Sequence, residues 1–367
     1  MKYENFANIQ ISKFALDLRK YTDLGEMIES KYDSLKGAVK TAVNNGVNLI
    51  ALPAANDPDG MNQIIEMIPK EKLFNCHFYM EIDITTRTFS DNIESFFEQL
   101  IEKLEISKID FLSFKAVDSI NFNDRILAYH MLEKIQRFAE SGYIKKVGFS
   151  YADDDNDFFP VIASAFDWDF CNLEINYVDA GRVATVDMVR IANERGIKVF
   201  ASNPTKDGKL LKLPPNVLKL LVQDFTPLEW SLNYIWSREG ISSMLFDTIY
   251  PGEVEDVVKY LDKYVPTKNA NYISCYRQMC QTYYANPIID CTKCYYCMPC
   301  PHGINIPKVF EVYNSSVYLG ISASHERYVQ LEVNAEVCRN CNQCMGNCSR
   351  HLDIPREMKH IEDFYRV

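Results

Sequence analysis

The chain has 367 residues, more than one ordinary domain needs, so a barrel-sized domain with a smaller companion is the first expectation. Hydrophobic residues at 47% and charged residues at 24% match soluble globular chains and exclude a mainly disordered, collagen-like or membrane-embedded one. Thirty-nine basic residues against 50 acidic ones leave a net charge of −11, which excludes duplex nucleic acid and anionic membrane as natural partners, because both require a basic face.

The opening MKYENFANIQ lacks the basic-then-apolar build of a secretion signal, and no run reaches the roughly 18 apolar residues of a membrane span, so a cytoplasmic protein without a membrane span is expected. From there to about residue 265, short apolar and β-branched runs alternate with helix-period stretches. The extended runs are ISKFALDL (11–18), NLIALPA (48–54), CHFYMEI (76–82), IDFLSFKAV (109–117), KKVGFSYA (145–152), DFCNLEINYV (169–178), IKVFASNP (197–204) and ISSMLFD (241–247). The clearest helix between them is DNIESFFEQLIEKLEI, where Ile93, Phe96, Phe97, Leu100, Ile101 and Leu104 mark one face. Eight such alternations predict an α/β fold, a closed (β/α)8 TIM barrel over 1–265. An open doubly wound sheet is the alternative. The chain carries neither GxGxxG nor GxxxxGK[ST], and only 14 glycines, so no phosphate loop supports that alternative. No internal repeat is evident.

Residues 266–290 read as a connector, and 291–367 as a cysteine-rich, loop-rich second domain. From Lys268 to Val367 there are ten basic and nine acidic residues, so nearly all the net charge sits on the barrel. Of the 12 cysteines, eight form two runs: Cys291, Cys294, Cys297 and Cys300, then Cys338, Cys341, Cys344 and Cys348. Clustered thiols in a reducing compartment are metal ligands more often than disulfides. Three thiols at x2 spacing wrap three corners of an iron–sulfur cube, and the fourth is carried to the other cube. The assignment is Cys291, Cys294, Cys297 and Cys348 on one [4Fe-4S] cluster, with Cys338, Cys341, Cys344 and Cys300 on the second. This part resembles the two-cluster bacterial ferredoxin module, with two departures: the first run is one residue short before its last cysteine, and Ser349 replaces the proline after the second. Two structural zinc sites are the alternative, which three consecutive x2 gaps disfavour. Cys76, Cys171, Cys275 and Cys280 read as buried structural residues, and Tyr295 and Tyr296 as shields or partner contacts.

Several segments resemble the aldo/keto reductase family, specifically its branch with a ferredoxin-like extension: VGFSYADDDNDFFPVIASAFDWDFCNLEINYVDA, ANERGIKVFASNPTKDGKL, PLEWSLNYIWSREGISSMLFD and CTKCYYCMPCPHGINIP. The resemblance implies an Asp, Tyr, Lys, His tetrad at the mouth of the barrel. Here those positions fall on Ala51, Asn56, Met80 or Glu81, and Phe114, so the tetrad is not retained and its proton donor is missing. Where the family places a glycine near the NADPH phosphates, this chain has Asp247, whose charge repels them. Ser150 and Asn176 are the cofactor-binding positions if a nucleotide binds, and NADP(H) is disfavoured.

Strand ends at the C-terminal face build the sites of such barrels. Asp17, Arg19, Asn56, Asp83 and Asn203 are among the polar residues there. The catalytic candidates are Glu81, Lys115, Tyr151, Glu174, Asn176 and Asp247, which are able to exchange protons or bind polar atoms. The expected function is an iron–sulfur oxidoreductase relaying single electrons between a redox protein, such as a ferredoxin or flavoprotein, and a small-molecule substrate or partner at the barrel. The alternatives are a non-catalytic electron carrier or redox-responsive scaffold, and an NADPH-dependent carbonyl reductase with a rearranged site.

Overall fold

The computed structural model describes the chain except residues 7, 22–23, 54–56, 84–92, 105, 107, 154–156, 180–184, 223, 265–268, 287 and 367; of residues 94, 185–186, 270 and 318 it describes the backbone. A two-stranded antiparallel hairpin opens the chain, β1 (Tyr3–Phe6) against β2 (Ile9–Ser12). Eight parallel strands follow, one on each of the eight extended runs, with β7 starting one residue before its run: β3 (Phe14–Asp17), β4 (Leu49–Ala51), β5 (His77–Ile82), β6 (Ile109–Val117), β7 (Ile144–Tyr151), β8 (Phe170–Glu174), β9 (Lys198–Ser202) and β10 (Ile241–Phe246). They pair in chain order and β10 closes onto β3, so the expected (β/α)8 barrel is the fold. The hairpin is the one strand pair the sequence pattern did not separate, because ISKFALDL runs unbroken from the end of β2 into β3.

Side chains alternate across a strand, so strand register decides what enters the barrel. Ala15, Leu49, Ala51, Tyr79, Phe111, Phe170, Phe200 and Leu245 fill the lumen, and Phe6 of the hairpin plugs it from below, its ring 5.4 Å from Phe111. Gly148 faces Phe170 across β7 and β8, and a Cβ there would stand 2.5 Å from the Phe170 carbonyl oxygen and 2.7 Å from its ring. Glycine at this point makes room for an aromatic layer.

The chain separates into two compact units, Met1–Lys206 with Leu228–Asn269, and Asp207–Pro227 with Ala270–Val367. The second unit therefore takes the stretch that follows β9 as well as the C-terminal part. The 266–290 stretch is more ordered than a connector, since Ala270–Tyr284 is a helix. The cysteine-rich part is helical where the sequence reads as loop: Ile306–Leu319, Ile321–Val329 and Ile354–Tyr365 pack around Ile304, Ile306, Phe310, Tyr313, Ile354 and Ile361. Among its described residues no strand is assigned.

A short repeat, overlooked in the sequence, organises this unit. Pro307 lies seven residues after Cys300 and Pro355 seven after Cys348, each in the first turn of a helix capped by the residue two before it. Asn305 accepts from the Lys308 N–H and Asp353 from the Arg356 N–H, satisfying backbone donors that a helix start leaves open. No helix among the described residues is long and apolar enough to cross a membrane.

Candidate functional site

Two groups of thiols form in the second unit. Cys297 lies close enough to Cys291, Cys294 and Cys348 for their charges to act on it, and Cys344 likewise feels Cys338, Cys341 and Cys300. The groups are crossed, each taking three thiols from one run and the last thiol of the other. The first group rims a hollow of about 310 Å³ shared with Thr292, Tyr295, Phe310, Ser349 and Arg350. The second rims one of about 400 Å³ with His302, Arg339 and Met358. Cys297, Ile306 and Ile354 line both hollows, so the two are neighbours.

As thiols these groups are electrostatically awkward. Burial pushes Cys297 up to about 11, and the nearby Cys291 and Cys294 add to it. Burial likewise raises Cys291 and Cys344. Four thiolates around one hollow repel one another unless cations lie between them. Among the described residues no three His, Cys, Asp or Glu side chains converge on a point that holds a single metal ion. The donors stand around a space. By donor chemistry alone, four cysteine sulfurs per group are a set that an iron–sulfur cube takes.

The remaining cysteines lie outside both groups. Cys275 Sγ is 3.0 Å from the Leu220 carbonyl oxygen, and Cys280 sits on the same helix. Cys76 and Cys171 are buried in the barrel, and burial pushes Cys76 up to about 11 and Cys171 higher still.

At the C-terminal ends of the barrel strands, Arg19 bridges two carboxylates. Its Nε and Nη2 donate to Asp17 at 2.8 and 2.7 Å, and its Nη1 donates to Glu81 at 2.7 Å. Tyr79 continues the chain, donating to Glu81 at 2.6 Å with Ser113 Oγ 2.9 Å away, while the guanidinium lies over its ring at 5.4 Å. Burial pushes the Asp17 carboxyl up, and Arg19 more than cancels this, holding it below its ordinary value. Burial lowers Arg19, yet Asp17 and Glu81 raise it well above its own ordinary value, so the guanidinium stays charged. Burial and Glu81 keep the Tyr79 phenol protonated. Here is a buried proton-bearing hydroxyl at the mouth, which the sequence reading did not find. Its signal was the alternation on β5, since Tyr79 and Glu81 must share a face.

The other candidates scatter. Glu81 enters the lumen, whereas Met80, the other residue at the lysine position, is buried on the opposite face of β5. Lys115 donates to Asp83 at 3.1 Å. Ser150 accepts from Asn172 Nδ2 at 2.9 Å, and Glu174 is exposed with Asn203 3.5 Å away. Asp247 accepts from Tyr21 and pairs with Lys20. One candidate does not face the mouth. Tyr151 falls on the outward register of β7, its ring 5.2 Å from Phe159 in the helical layer. Asn176 is buried in the loop after β8, donating to Asp179 at 2.8 Å and accepting from its N–H at 3.0 Å. Phe114 points outward too, its ring 6.1 Å from that of Trp168. Asn56 lies outside the described residues.

Phosphates find little to hold them at this mouth. Arg19, Lys20, Lys115 and Lys206 are each paired with carboxylates: Asp17 and Glu81, Asp247, Asp83 and Asp179 respectively. With Glu174 added, acids outnumber these cations. Among the described residues, each of these four cations is already held by an acid, which leaves none of them open for a dinucleotide phosphate.

No protein-family model matches the chain, and no curated protein matches it. Among solved structures it is similar to the aldo-keto reductase AKR11C1 of Bacillus halodurans in its holo form, at 12% identity and TM-score 0.60 over 76% of this chain and 96% of that one. It is also similar to MGS-M4, an aldo-keto reductase enzyme from a Medee basin deep-sea metagenome library, at 16% identity and TM-score 0.53, covering 76% and 94%. A third is the aldo-keto reductase AKR2E5 complexed with NADPH, at 13% identity and TM-score 0.56, covering 76% and 87%. These likenesses are of the barrel fold.

Proposed function

We propose that the chain is an iron–sulfur oxidoreductase of aldo/keto reductase-like fold. In this reading Cys291, Cys294, Cys297 and Cys348 hold one [4Fe-4S] cluster, and Cys300, Cys338, Cys341 and Cys344 hold the other. When bound, such clusters supply reversible one-electron transfer at potentials set by their surroundings. The observation that carries the reading is the crossed grouping of eight thiols around two adjoining hollows.

The protein's own residues complete the arrangement. The Lys293 N–H points to Cys291 Sγ at 3.4 Å, a donor of the kind that offsets thiolate charge. Ile304, Ile306, Phe310 and Ile354 back the thiols with apolar surface and keep water off that side. At the barrel mouth Tyr79 holds a proton against Glu81, and Arg19 fixes both acids, so a small polar molecule there meets a phenol and a carboxylate in one network. A redox protein such as a ferredoxin or flavoprotein is the partner, and the reducing cytoplasm is where free thiols of this kind load iron.

The mouth's charged groups being already paired favours a second reading, a non-catalytic electron carrier or redox-responsive scaffold. Glu81→Gln separates the two, since a carrier keeps its partner turnover and an enzyme loses substrate turnover. The primary test is anaerobic iron and sulfide quantitation with EPR of the reduced protein. Two cubes require about eight iron and eight sulfide per chain. Stoichiometric zinc, with no reduced-cluster signal, overturns the proposal.

A further inference from the structure

The repeat that starts the two helices also aligns the two thiol runs. Cys300 corresponds to Cys348, so Pro301 corresponds to Ser349. On the other side Cys291-Thr292-Lys293-Cys294 corresponds to Cys338-Arg339-Asn340-Cys341. The two crossed thiol groups therefore differ in a definite way: Thr292 and Ser349 stand beside the first, where the corresponding positions beside the second are Arg339 and Pro301.

The structure gives the hydroxyls something to do. Ser349 Oγ lies 3.5 Å from Cys294 Sγ. Beside Cys338, by contrast, stands the side-chain oxygen of Asn340 at 3.9 Å, an acceptor. A second asymmetry comes from the stretch after β9. Lys209 Nζ is 3.1 Å from Asp290 Oδ1, and Asp290 directly precedes Cys291. Their side chains are 20% and 24% exposed, so solvent screens them less than a surface pair.

Resting on the cluster assignment above, we propose that Ser349 and Lys209 are positioning residues. Ser349 raises the reduction potential of the cluster on Cys291, Cys294, Cys297 and Cys348 above that of its neighbour, and Lys209 keeps Asp290 from lowering it. Reduction adds one negative charge to a cluster already negative. A hydroxyl donated to a ligand sulfur, or a cation beside a ligand, stabilises that extra charge more than it stabilises the oxidised form. Lys209 works chiefly by cancelling Asp290, which unpaired would place a carboxylate next to Cys291. The first cluster is then where an electron rests.

The test is a potentiometric titration followed by EPR on the full chain, with iron and sulfide measured first. Ser349→Ala and Lys209→Gln each move the higher of two midpoints downward and leave the lower one in place. Ser349→Thr, which keeps the hydroxyl, retains the wild-type value. The double variant Lys209→Gln with Asp290→Asn, which removes the pair as a neutral whole, returns the midpoint toward wild type. Eight iron per chain with neither midpoint moved, both moved alike, or the lower one moved, refutes the inference and leaves the cluster assignment standing. Absence of iron and sulfide in the wild type overturns both. Should Ser349→Ala lose iron, Lys209→Gln and its double variant decide the matter by the same readings.

Discussion

Replacing Arg19 by methionine keeps an aliphatic stem and removes the one cation shared by Asp17 and Glu81. The three side chains are 17%, 11% and 6% exposed, so the carboxylates left behind are poorly hydrated. Breaking a buried pair by deleting one partner costs about 3–5 kcal/mol, because the surviving charge keeps its desolvation penalty. With urea slopes of roughly 1–3 kcal/mol per molar, the barrel's midpoint falls by about 1 M or more. Tryptophan fluorescence isolates the barrel, since Trp168, Trp230 and Trp236 all lie in the first unit. The pH dependence has a definite sign. In the wild type the Asp17 carboxyl is held below its ordinary value, so its contribution is present above about pH 4 and is lost as pH falls through the folded-state value. Without Arg19, burial is opposed only by the weaker pull of Lys20 and raises that carboxyl. It then destabilises the fold at neutral pH, and the penalty fades as pH falls toward about 4. The deficit of the variant is therefore smaller at pH 5 than at pH 7.5. A deficit below about 1 kcal/mol, or one that is equal at both pH values, refutes the idea that Arg19 neutralises buried acids.

Gly148→Ala forces a methyl toward the Phe170 carbonyl and ring, and overpacking of this kind costs about 1–3 kcal/mol in the same urea assay; a neutral result means β7 shifts freely. If the thiol groups are crossed, Cys348→Ala and Cys294→Ala abolish one EPR signal while Cys300→Ala and Cys341→Ala abolish the other. Pairing of Cys300 with Cys294 instead points to uncrossed sites. Titration with NADPH, read by the enhancement of its own fluorescence, shows no saturation, because the mouth's cations are already paired; saturable binding contradicts that account.

Periodicity in the chain is local information, and it was enough for the barrel. Eight apolar runs at even spacing each carry a strand, because a strand buried on both faces leaves a continuous apolar signature that needs no neighbour to be read. The cysteine spacings were equally legible, since ligands within one run are neighbours in the chain. Helices in the second unit were not. The last of them buries Ile354, Met358, Ile361 and Tyr365 at helical spacing, but its cap-Ile-Pro start follows a cysteine run and is easily taken for loop.

What the chain alone could not settle is which way a strand-end residue faces. Tyr151 looked as suitable as Glu81, and one residue of register separates a side chain in the lumen from one under a helix. Tyr79, Arg19 and Asp17 meet because β3 lies two strands from β5 in a closed barrel, a relation that no sequence window contains. The same holds for Lys209, which reaches Asp290 across 81 residues, and for Ser349, which reaches Cys294 across 55. Sequence determined the barrel and the eight thiols, because both are written in local spacing. Tertiary structure decided which charges cancel, which hydroxyl touches which sulfur and which candidates face the mouth, because those depend on contacts between distant segments.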